Sequence, residues 1–321
     1  MIFEIKLNIK EYATIRVYTS SEKIKDKLTD EKSSIRRTIP ITNATYSSID
    51  KSDICYFDSI IITDINKKQM HYDKDYNVSI LNVSENEIRF PDLIYITLAM
   101  FSNVLARQQK YLLHSSSLLH PSNTGFVLVG DANAGKTSLA YELMSKHNCK
   151  LISNDHSVIG IENGKAMILG GTKEIQMRLG AIELYFPELY EQINVESNDK
   201  WNKKIIVNDY VNQDLILSNT SDNAVLTNVF SISTSKSGKS FLRIKDEVDQ
   251  FLFLYESMAK IIKGTYNYIT GFDFPMPSME TEKNLVELSN LCKIITNQCD
   301  VCEAKGSIDD LAKVLVKKHE K

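Results

Sequence analysis

The sequence predicts an α/β protein with a mixed sheet, preceded by a β-rich region and followed by a mostly helical one. Over residues 1–90, short runs rich in Ile, Val, Thr, Tyr and Phe alternate with polar turns, which is typical of strands. A strand–loop–helix–strand pattern covers residues 126–155, as in α/β domains. Apolar residues at helical spacing recur in three segments between residue 247 and residue 321.

Composition and charge narrow the class of protein. The chain has 321 residues, of which 43% are hydrophobic and 25% charged, as in a globular protein of about two domains. A net charge of −3 argues against a nucleic-acid partner, which would favour a basic face. The longest apolar run, "LIYITLAMF", is about half the ~20 residues of a membrane span. The start, "MIFEIKLNIKEY", carries charges that interrupt any signal-peptide core, so we expect a cytoplasmic protein without a membrane partner.

The pattern predicts four segments. Residues 1–90 form a β-rich accessory domain, in which the charged stretch at 20–40 is either a helix or a long loop. A connecting helix opened by Pro91 follows at 91–110, because proline suits the first helical turn. An α/β domain occupies 111–246, and its Asn163-Gly164 pair predicts a hairpin turn. A mostly helical region occupies 247–321.

A glycine-rich loop lies in the α/β domain, where "FVLVGDANAGKTSLAYELM" fits the pattern G-x-x-x-x-G-K-[ST] of a P-loop, also called Walker A. The glycines let the backbone wrap around anionic oxygens, towards which the loop amides and the helix N-terminus point. The lysine reaches the β- and γ-phosphates, and the Thr137 hydroxyl ligates Mg²⁺. The expected nucleotide-binding residues are Gly130, Asp131, Ala132, Asn133, Ala134, Gly135, Lys136, Thr137 and Ser138.

Chance alone would produce this motif in about one such chain in a hundred, given average glycine usage of about 7%. The strand before it and the helix after it reduce that chance further. The alternative interpretation is a glycine turn that merely precedes a helix.

A carboxylate follows the loop helix at the end of the next predicted strand, "KLISND". Asp155 lies nineteen residues after Lys136. A carboxylate there could hold Mg²⁺, or accept the proton of an attacking hydroxyl. The alternative is a solvated aspartate at a strand end.

The segment from Leu112 to Asp155 resembles the catalytic domain of HPr kinase/phosphorylase and its wider HPr-kinase-like group. The resemblance is carried by "LHSSSLL", "GFVLVGDANAGKTSLAYELM" and "KLISNDHSVI", and it extends loosely to "EIQMRLGAIEL". It implies a P-loop domain with a mixed sheet of the HPr kinase/phosphoenolpyruvate carboxykinase type, and a kinase that acts on a hydroxyl.

The resemblance also implies site residues. Asp155 matches the second position of the family's acidic pair, His114 matches the histidine near that pair, and Arg178 matches an arginine that contacts the transferring phosphoryl group. From the residues alone, His114 could equally be a core histidine, and Arg178 could be an ordinary salt-bridge partner.

The chain departs from the family pattern at several places. The first acidic position is Asn154, which cannot act as a base, so that role passes to Asp155 or is lost. The C-terminal signature of true HPr kinases has no counterpart, and residues 1–90 do not resemble their N-terminal domain. The sequence therefore predicts a relative with another substrate.

The predicted function is transfer of the γ-phosphoryl group from ATP or GTP with Mg²⁺ to a hydroxyl acceptor. Thr137 and Asp155 are the expected metal ligands, and Asp155, His114 and Arg178 the expected catalytic residues. By family analogy the acceptor is a serine of a peptide or protein, and a small molecule stays open. Family members also form oligomers, so a homo-oligomer is an expectation. The alternative is a nucleotide-binding sensor or scaffold with little or no transfer.

Five cysteines form no disulfide pattern. The pair Cys299 and Cys302 offers half of a zinc site, which Cys292 and His319 could complete. The preferred interpretation is buried thiols in a strand.

Overall fold

The structure is a computed structural model that describes residues 1–65, 68–211, 220–236, 239–264 and 267–319, with the backbone alone at residue 274. The chain divides into two compact units. The first unit comprises Met1–Leu113 and Leu254–Leu291, and the second comprises His114–Phe253 and Cys292–Lys321. Both contain strands and helices, and the sheets include parallel and antiparallel pairs, so the predicted mixed α/β class is confirmed.

The first unit contains a six-stranded sheet in the order β3-β1-β2-β4-β6-β5, with β2-β4 and β4-β6 parallel. In the first strand, Phe3, Ile5 and Leu7 are buried and alternate with polar residues, as expected for a sheet with one covered face. The strands are β1 (Ile2–Ile9), β2 (Ala13–Thr19), β3 (Asn43–Ile49), β4 (Ser59–Thr63), β5 (Gln69–Asp73) and β6 (Val78–Asn82).

The helices of the N-terminal region follow local capping signals. The charged stretch at 20–40 forms α1 (Glu22–Thr29) and α2 (Ser34–Thr38). Ser21 and Ser33 cap these two helices by accepting hydrogen bonds from backbone amides of the first turn. The longer α3 (Phe90–Ala106) carries proline in its first turn, as the sequence predicted.

The second unit is built on an eight-stranded mixed sheet. Its order is β11-β10-β7-β8-β14-β18-β15, and β9 also pairs with β7. Strands β8, β14 and β18 are parallel, whereas β7 is antiparallel to β8. The strands are β7 (Lys110–Leu119), β8 (Gly125–Val129), β9 (Lys150–Ser153), β10 (His156–Glu162), β11 (Lys165–Gly171), β14 (Ala224–Thr234), β15 (Phe241–Ile244) and β18 (Asp300–Gly306).

Smaller elements complete the part of the chain that the structure describes. Two short antiparallel pairs join β12 to β13 and β16 to β17. These strands are β12 (Gln176–Arg178), β13 (Lys204–Ile206), β16 (Tyr268–Ile269) and β17 (Phe274–Pro275). The remaining helices are α4 (Lys136–His147), α5 (Leu179–Tyr185), α6 (Pro187–Ile193), α7 (Glu247–Lys263), α8 (Glu282–Gln298) and α9 (Ile308–His319).

A buried apolar core holds α4 and α9 against the sheet of the second unit. Leu118 and Leu128 of the sheet belong to the same cluster as Leu139 of α4 and Leu311 of α9. Each of these four side chains is fully buried. The core therefore fixes the position of the helix that follows the glycine-rich loop.

Local turn and cap signals agree with the structure at three places in the chain. The Asn163-Gly164 pair lies at the β10–β11 turn with both residues at positive φ (51° and 75°), which confirms the predicted hairpin. Helix α7 is followed by Gly264 at φ 67°, and Ser307 caps α9 with Asp310 as its partner.

The division of the chain into four segments remains a prediction. Its boundaries were 1–90, 91–110, 111–246 and 247–321. The compact units group part of the chain differently, because α3 and residues 254–291 fall in the first unit and residues 292–321 in the second. Among the described residues, no helix is long and apolar enough to cross a membrane.

The five cysteines are free thiols. Cys302 lies within β18, and Cys299 donates to the Leu226 carbonyl oxygen at 3.0 Å. Burial raises the pKa of Cys299 and of Cys292 to about 12. Within the described ranges, no cysteine belongs to a group placed to hold a metal ion. Both thiols are buried as predicted, but Cys302 alone of the pair lies in a strand, because Cys299 directly precedes β18.

The ring of His319, at the end of α9, lies among aromatic residues of the sheet. It stacks on His120 at 5.1 Å and packs against Phe126 and Phe230. Burial, with smaller effects of the neighbouring His120 and Lys318, lowers the pKa of His319 from 6.5 to about 4. The folded chain therefore holds this histidine neutral.

We expect this histidine to make the protein less stable in acid. The unfolded chain binds the proton more tightly, so the contribution is present above about pH 6.5 and is lost as the pH falls towards about 4. Between pH 7 and pH 4.5, wild type should lose on the order of 1–2 kcal/mol more unfolding free energy than His319→Gln, after allowance for partial exposure. Urea unfolding at both pH values measures this. The exposed His71→Gln is the control, and equal losses in wild type and His319→Gln would contradict the expectation.

Candidate functional site

The glycine-rich loop follows β8 and closes on the neighbouring parallel strand β14. Asn133 and Gly135 adopt positive φ values of 68° and 89°. A Cβ on Gly135 would lie 2.2 Å from the Thr234 hydroxyl oxygen, and one on Gly130 would lie 2.7 Å from the Ile232 carbonyl oxygen. Both glycines of the motif are therefore required by close contact with β14.

Backbone hydrogen bonds hold the loop in this conformation. The Thr234 amide donates to the Ala134 carbonyl at 3.0 Å, and the Ala134 amide donates to the Asp131 carbonyl at 3.2 Å. Gly135 is the N-cap of α4 and has no side chain with which to cap it. The cap residue thus offers no side-chain acceptor to the amides in the first turn of this twelve-residue helix. A helix N-terminus of this kind attracts anions.

Lys136 lies over the loop. Its Nζ donates to the carbonyl oxygens of Gly130 at 2.8 Å and Asp131 at 3.0 Å, and the residue is buried. Thr137 is half-buried and Ser138 is buried in the same helical turn. The structure therefore places the charged group of Lys136 within the loop.

The register of β7 places His114 at the same edge of the sheet. Ser115 pairs with Val129, the last residue of β8, so His114 lies opposite Gly130 at the start of the loop. Side chains alternate along a strand, so His114 is on the face of Leu118, which packs in the core shared with α4. His114 thus faces the side of the sheet on which the loop helix lies.

Asp155 lies on the other side of β7, at the joint between β9 and β10. Its carbonyl accepts the Ser115 amide at 3.1 Å, which puts Val129, Ser115 and Asp155 in one row across adjacent strands. Two strand spacings separate the Asp155 backbone from the end of β8 by about 10 Å. Asp155 adopts φ 71°, an uncommon value for a residue other than glycine.

Three side chains meet at this joint. The His114 Nδ1 lies 3.4 Å from Asp155 Oδ1, and the His156 Nδ1 lies 3.9 Å from Asp155 Oδ2. The two imidazole rings are 5.4 Å apart. The ligand atoms of the three residues all lie within 4.8 Å of one another, which is close enough that they could hold a metal ion.

His156 is a residue that the sequence analysis missed. It is buried as the first residue of β10, and its backbone is held by hydrogen bonds to Asn154 and Thr172. The available signal was its position directly after Asp155, at the head of an apolar strand. The pairing that turns its ring towards His114 is a long-range feature, which that signal does not contain.

Asn154 is a structural residue at this joint. It is 2% exposed, its Oδ1 accepts from the Ser116 hydroxyl at 2.7 Å, and its Nδ2 donates to the Glu174 carbonyl at 2.9 Å. Both ends of the amide are thus engaged. Asp155 is the carboxylate that faces His114 and His156.

A cluster of buried hydroxyls fixes the same joint from the opposite face of β7. The hydroxyl oxygens of Ser115, Ser117 and Ser153 each lie 2.6 Å from that of Ser157. One hydroxyl can donate once and accept twice, so Ser157 can satisfy all three contacts. This cluster ties β7, β9 and β10 together behind the histidines.

Arg178 contacts the loop directly. Its Nε donates to Asn133 Oδ1 at 3.0 Å, and its guanidinium also donates to the Trp201 carbonyl. Both partners are neutral oxygens, so these contacts do not offset its charge. The structure therefore brings Arg178 to the loop.

We expect Asn154→Asp to destabilise the protein. The change would bury a carboxylate and set one of its oxygens against the Glu174 carbonyl in place of a donor. The loss should be on the order of 3 kcal/mol, measured by denaturant unfolding at neutral pH. Asn163→Asp, in the exposed hairpin turn, is the matched control. A variant at position 154 as stable as this control would show that the amide does not hold the joint.

Comparison with known proteins gives a distant structural likeness. No family model matches the chain, and no curated protein matches it. Among solved structures, the chain is similar to the Hpr(Ser) kinase/phosphatase from Coxiella burnetii, at 12% identity and a TM-score of 0.31. The match covers 65% of this chain and 95% of that chain.

Proposed function

We propose that the protein is an HPr-kinase-like P-loop kinase that transfers the γ-phosphoryl group of ATP, or of GTP, to a hydroxyl acceptor. One observation carries the proposal. A glycine-rich loop, closed on β14 through Gly135, lies at the same sheet edge as the pair formed by His114 and Asp155. A backbone that would bind anions and a carboxylate that would act beside it thus share one edge of the sheet, which supports the proposal.

The loop and Lys136 would bind the phosphates. The loop amides and the uncapped N-terminus of α4 favour anionic oxygens, and the Lys136 ammonium adds a positive charge within the loop. These groups would neutralise charge on the β- and γ-phosphates. Such preorganised stabilisation supplies most of the catalysis in phosphoryl transfer.

Thr137 and Asp155 would supply oxygen ligands for Mg²⁺. A hydroxyl and a carboxylate suit this ion, which prefers oxygen ligands and keeps several waters. When bound, Mg²⁺ would neutralise part of the charge on the phosphates. The donor types present at these two positions therefore fit the cofactor.

Asp155 would act on the acceptor if it does not hold the metal. In that role its carboxylate accepts the proton of the acceptor hydroxyl as that oxygen bonds to the γ-phosphorus. The bond from the γ-phosphorus to the bridging oxygen then breaks, and the nucleoside diphosphate leaves with the bond electrons. His114, 3.4 Å from Asp155 Oδ1, would orient the carboxylate.

Arg178 would stabilise the transferring group. Its guanidinium is held at the loop by Asn133 and the Trp201 carbonyl, which leaves its charge available to an anion. Charge spreads over the equatorial oxygens in the transition state, and a cation at this position would offset it.

The acceptor we propose is a serine of a peptide or protein, by analogy with the HPr-kinase-like group, and a small-molecule alcohol is the alternative. A net charge of −3 disfavours a nucleic acid. By the same analogy, we propose that the chain forms a homo-oligomer.

A nucleotide-binding sensor is the second candidate, and Asn154 favours it. This residue stands where the family has its first acidic group, and both ends of its amide are engaged in hydrogen bonds. Asp155 is then the carboxylate available at the joint. If Asp155 cannot accept the proton of the acceptor hydroxyl, the protein would bind nucleotide without transferring phosphate.

Labelled phosphate transfer tests the kinase. The protein is incubated with γ-labelled ATP, Mg²⁺ and candidate peptides or cell extract, and labelled acceptors are separated. Lys136→Ala and Asp155→Asn should each lower transfer at least about 100-fold, because each removes a group that acts on the transition-state charge or the proton. Lys150→Ala, an exposed lysine on β9, should leave transfer unchanged.

Nucleotide binding, measured with a fluorescent ATP analogue, separates the two candidates. Binding by a wild type that labels no acceptor would favour the sensor. Transfer that survives in both variants would refute the assignment of this site.

A further inference from the structure

We infer that His114, Asp155 and His156 form a binding site for a divalent transition-metal ion. Among the described residues, these three side chains have ligand atoms that lie close enough together to hold such an ion. The inference rests on this ligand geometry and not on phosphoryl transfer. His156 has no part in the kinase chemistry proposed above.

The distances suit an ion that binds between the side chains. Two metal–ligand bonds of about 2.1 Å at a tetrahedral angle separate their ligand atoms by about 3.4 Å. The His114 Nδ1 to Asp155 Oδ1 distance is 3.4 Å, and the His156 Nδ1 to Asp155 Oδ2 distance is 3.9 Å. The ligand atoms of all three residues lie within 4.8 Å of one another, so rotations of the side chains would bring them onto one ion. Further positions would be open to water or a phosphate oxygen.

The ligand types select the class of ion. Two imidazole nitrogens and one carboxylate oxygen suit Zn²⁺, Co²⁺ or a related transition ion, whereas Mg²⁺ prefers oxygen ligands alone. Neutral imidazole is also the commonest nitrogen ligand of protein metal sites. The site would thus bind a cation of a different class from Mg²⁺, and because Asp155 is a ligand in both proposals, the two ions would compete for this carboxylate.

Backbone contacts hold the chain in place at His156, which is one of the three ligands. The His156 amide donates to the Asn154 carbonyl and to the Thr172 hydroxyl, and its carbonyl accepts from the Thr172 amide at 3.1 Å. Strand β11 approaches so closely that a Cβ on Gly171 would lie 2.0 Å from the His156 carbonyl oxygen. These contacts fix the course of the chain at His156.

Asp155 is held in an uncommon conformation between the two rings. Its φ of 71° turns the carboxylate so that one oxygen faces each histidine. Outliers of this kind cost free energy and cluster at functional sites. The half-exposed His114 and Asp155 leave the group accessible from solvent, whereas His156 is buried.

Cobalt binding tests the inference without any nucleotide. The full chain is purified, stripped with a chelator and titrated with Co²⁺ while the visible d–d absorption is recorded. Wild type should develop these bands at about one ion per chain, and Zn²⁺ should displace them, because both ions favour nitrogen-rich sites. His156→Gln and His114→Gln should each weaken binding at least about 100-fold, which exceeds the effect of losing an outer-shell partner.

Two matched variants serve as controls. His71→Gln, an exposed histidine on β5, and Lys136→Ala, in the glycine-rich loop, should both bind Co²⁺ as wild type does. Lys136→Ala also separates this site from the kinase proposal, because it should abolish transfer and leave the cobalt bands intact. Far-UV circular dichroism shows whether the variants are folded, and wild type should melt at a higher temperature with Zn²⁺.

Several results would overturn the inference. Folded wild type that gives no d–d bands would show that the three side chains form a hydrogen-bonded group without an ion. Bands that persist unchanged in both folded ligand variants, or that disappear in His71→Gln, would place the cobalt elsewhere.

Discussion

The close approach of Gly135 to Thr234 is the constraint on which the candidate site depends. A side chain at position 135 would collide with β14, so the loop can turn into α4 only because a glycine is there. The same approach aligns the Thr234 amide with the Ala134 carbonyl. Together with the apolar core under α4, it points the helix N-terminus and Lys136 at one edge of the sheet.

Strand β7 organises the other half of the site because its two faces carry different chemistry. His114 and Ser116 lie on the face of the loop helix, where Ser116 holds the Asn154 amide. Ser115 and Ser117 lie on the opposite face, in the buried hydroxyl cluster around Ser157. The joint between β9 and β10 is thus held from both sides, which lets Asp155 adopt its uncommon φ and face two histidines.

Positive and negative side chains lie at different places along this edge of the sheet, although the chain as a whole carries a net charge of −3. Lys136 and Arg178 both contact the loop through neutral oxygens, and Asp155 is set apart from them beyond β7. An anion at the loop would therefore meet two cations, while a cation or a proton would be attracted to the joint. The kinase that we propose would use this separation, with the phosphates at the loop and the acceptor hydroxyl at the joint.

Local patterns determined much of this protein. The glycine-rich loop, the Asn163-Gly164 hairpin and the proline-led α3 follow from residues within a few positions of one another, because turns, caps and phosphate loops are set by backbone φ and nearby amides. Tertiary structure alone decided what His156 and Asn154 do, since each depends on partners brought in by strand pairing: His114 in one case, Ser116 and Glu174 in the other. It also decided that residues 254–291 join the first unit, because packing between segments far apart in sequence has no local signature.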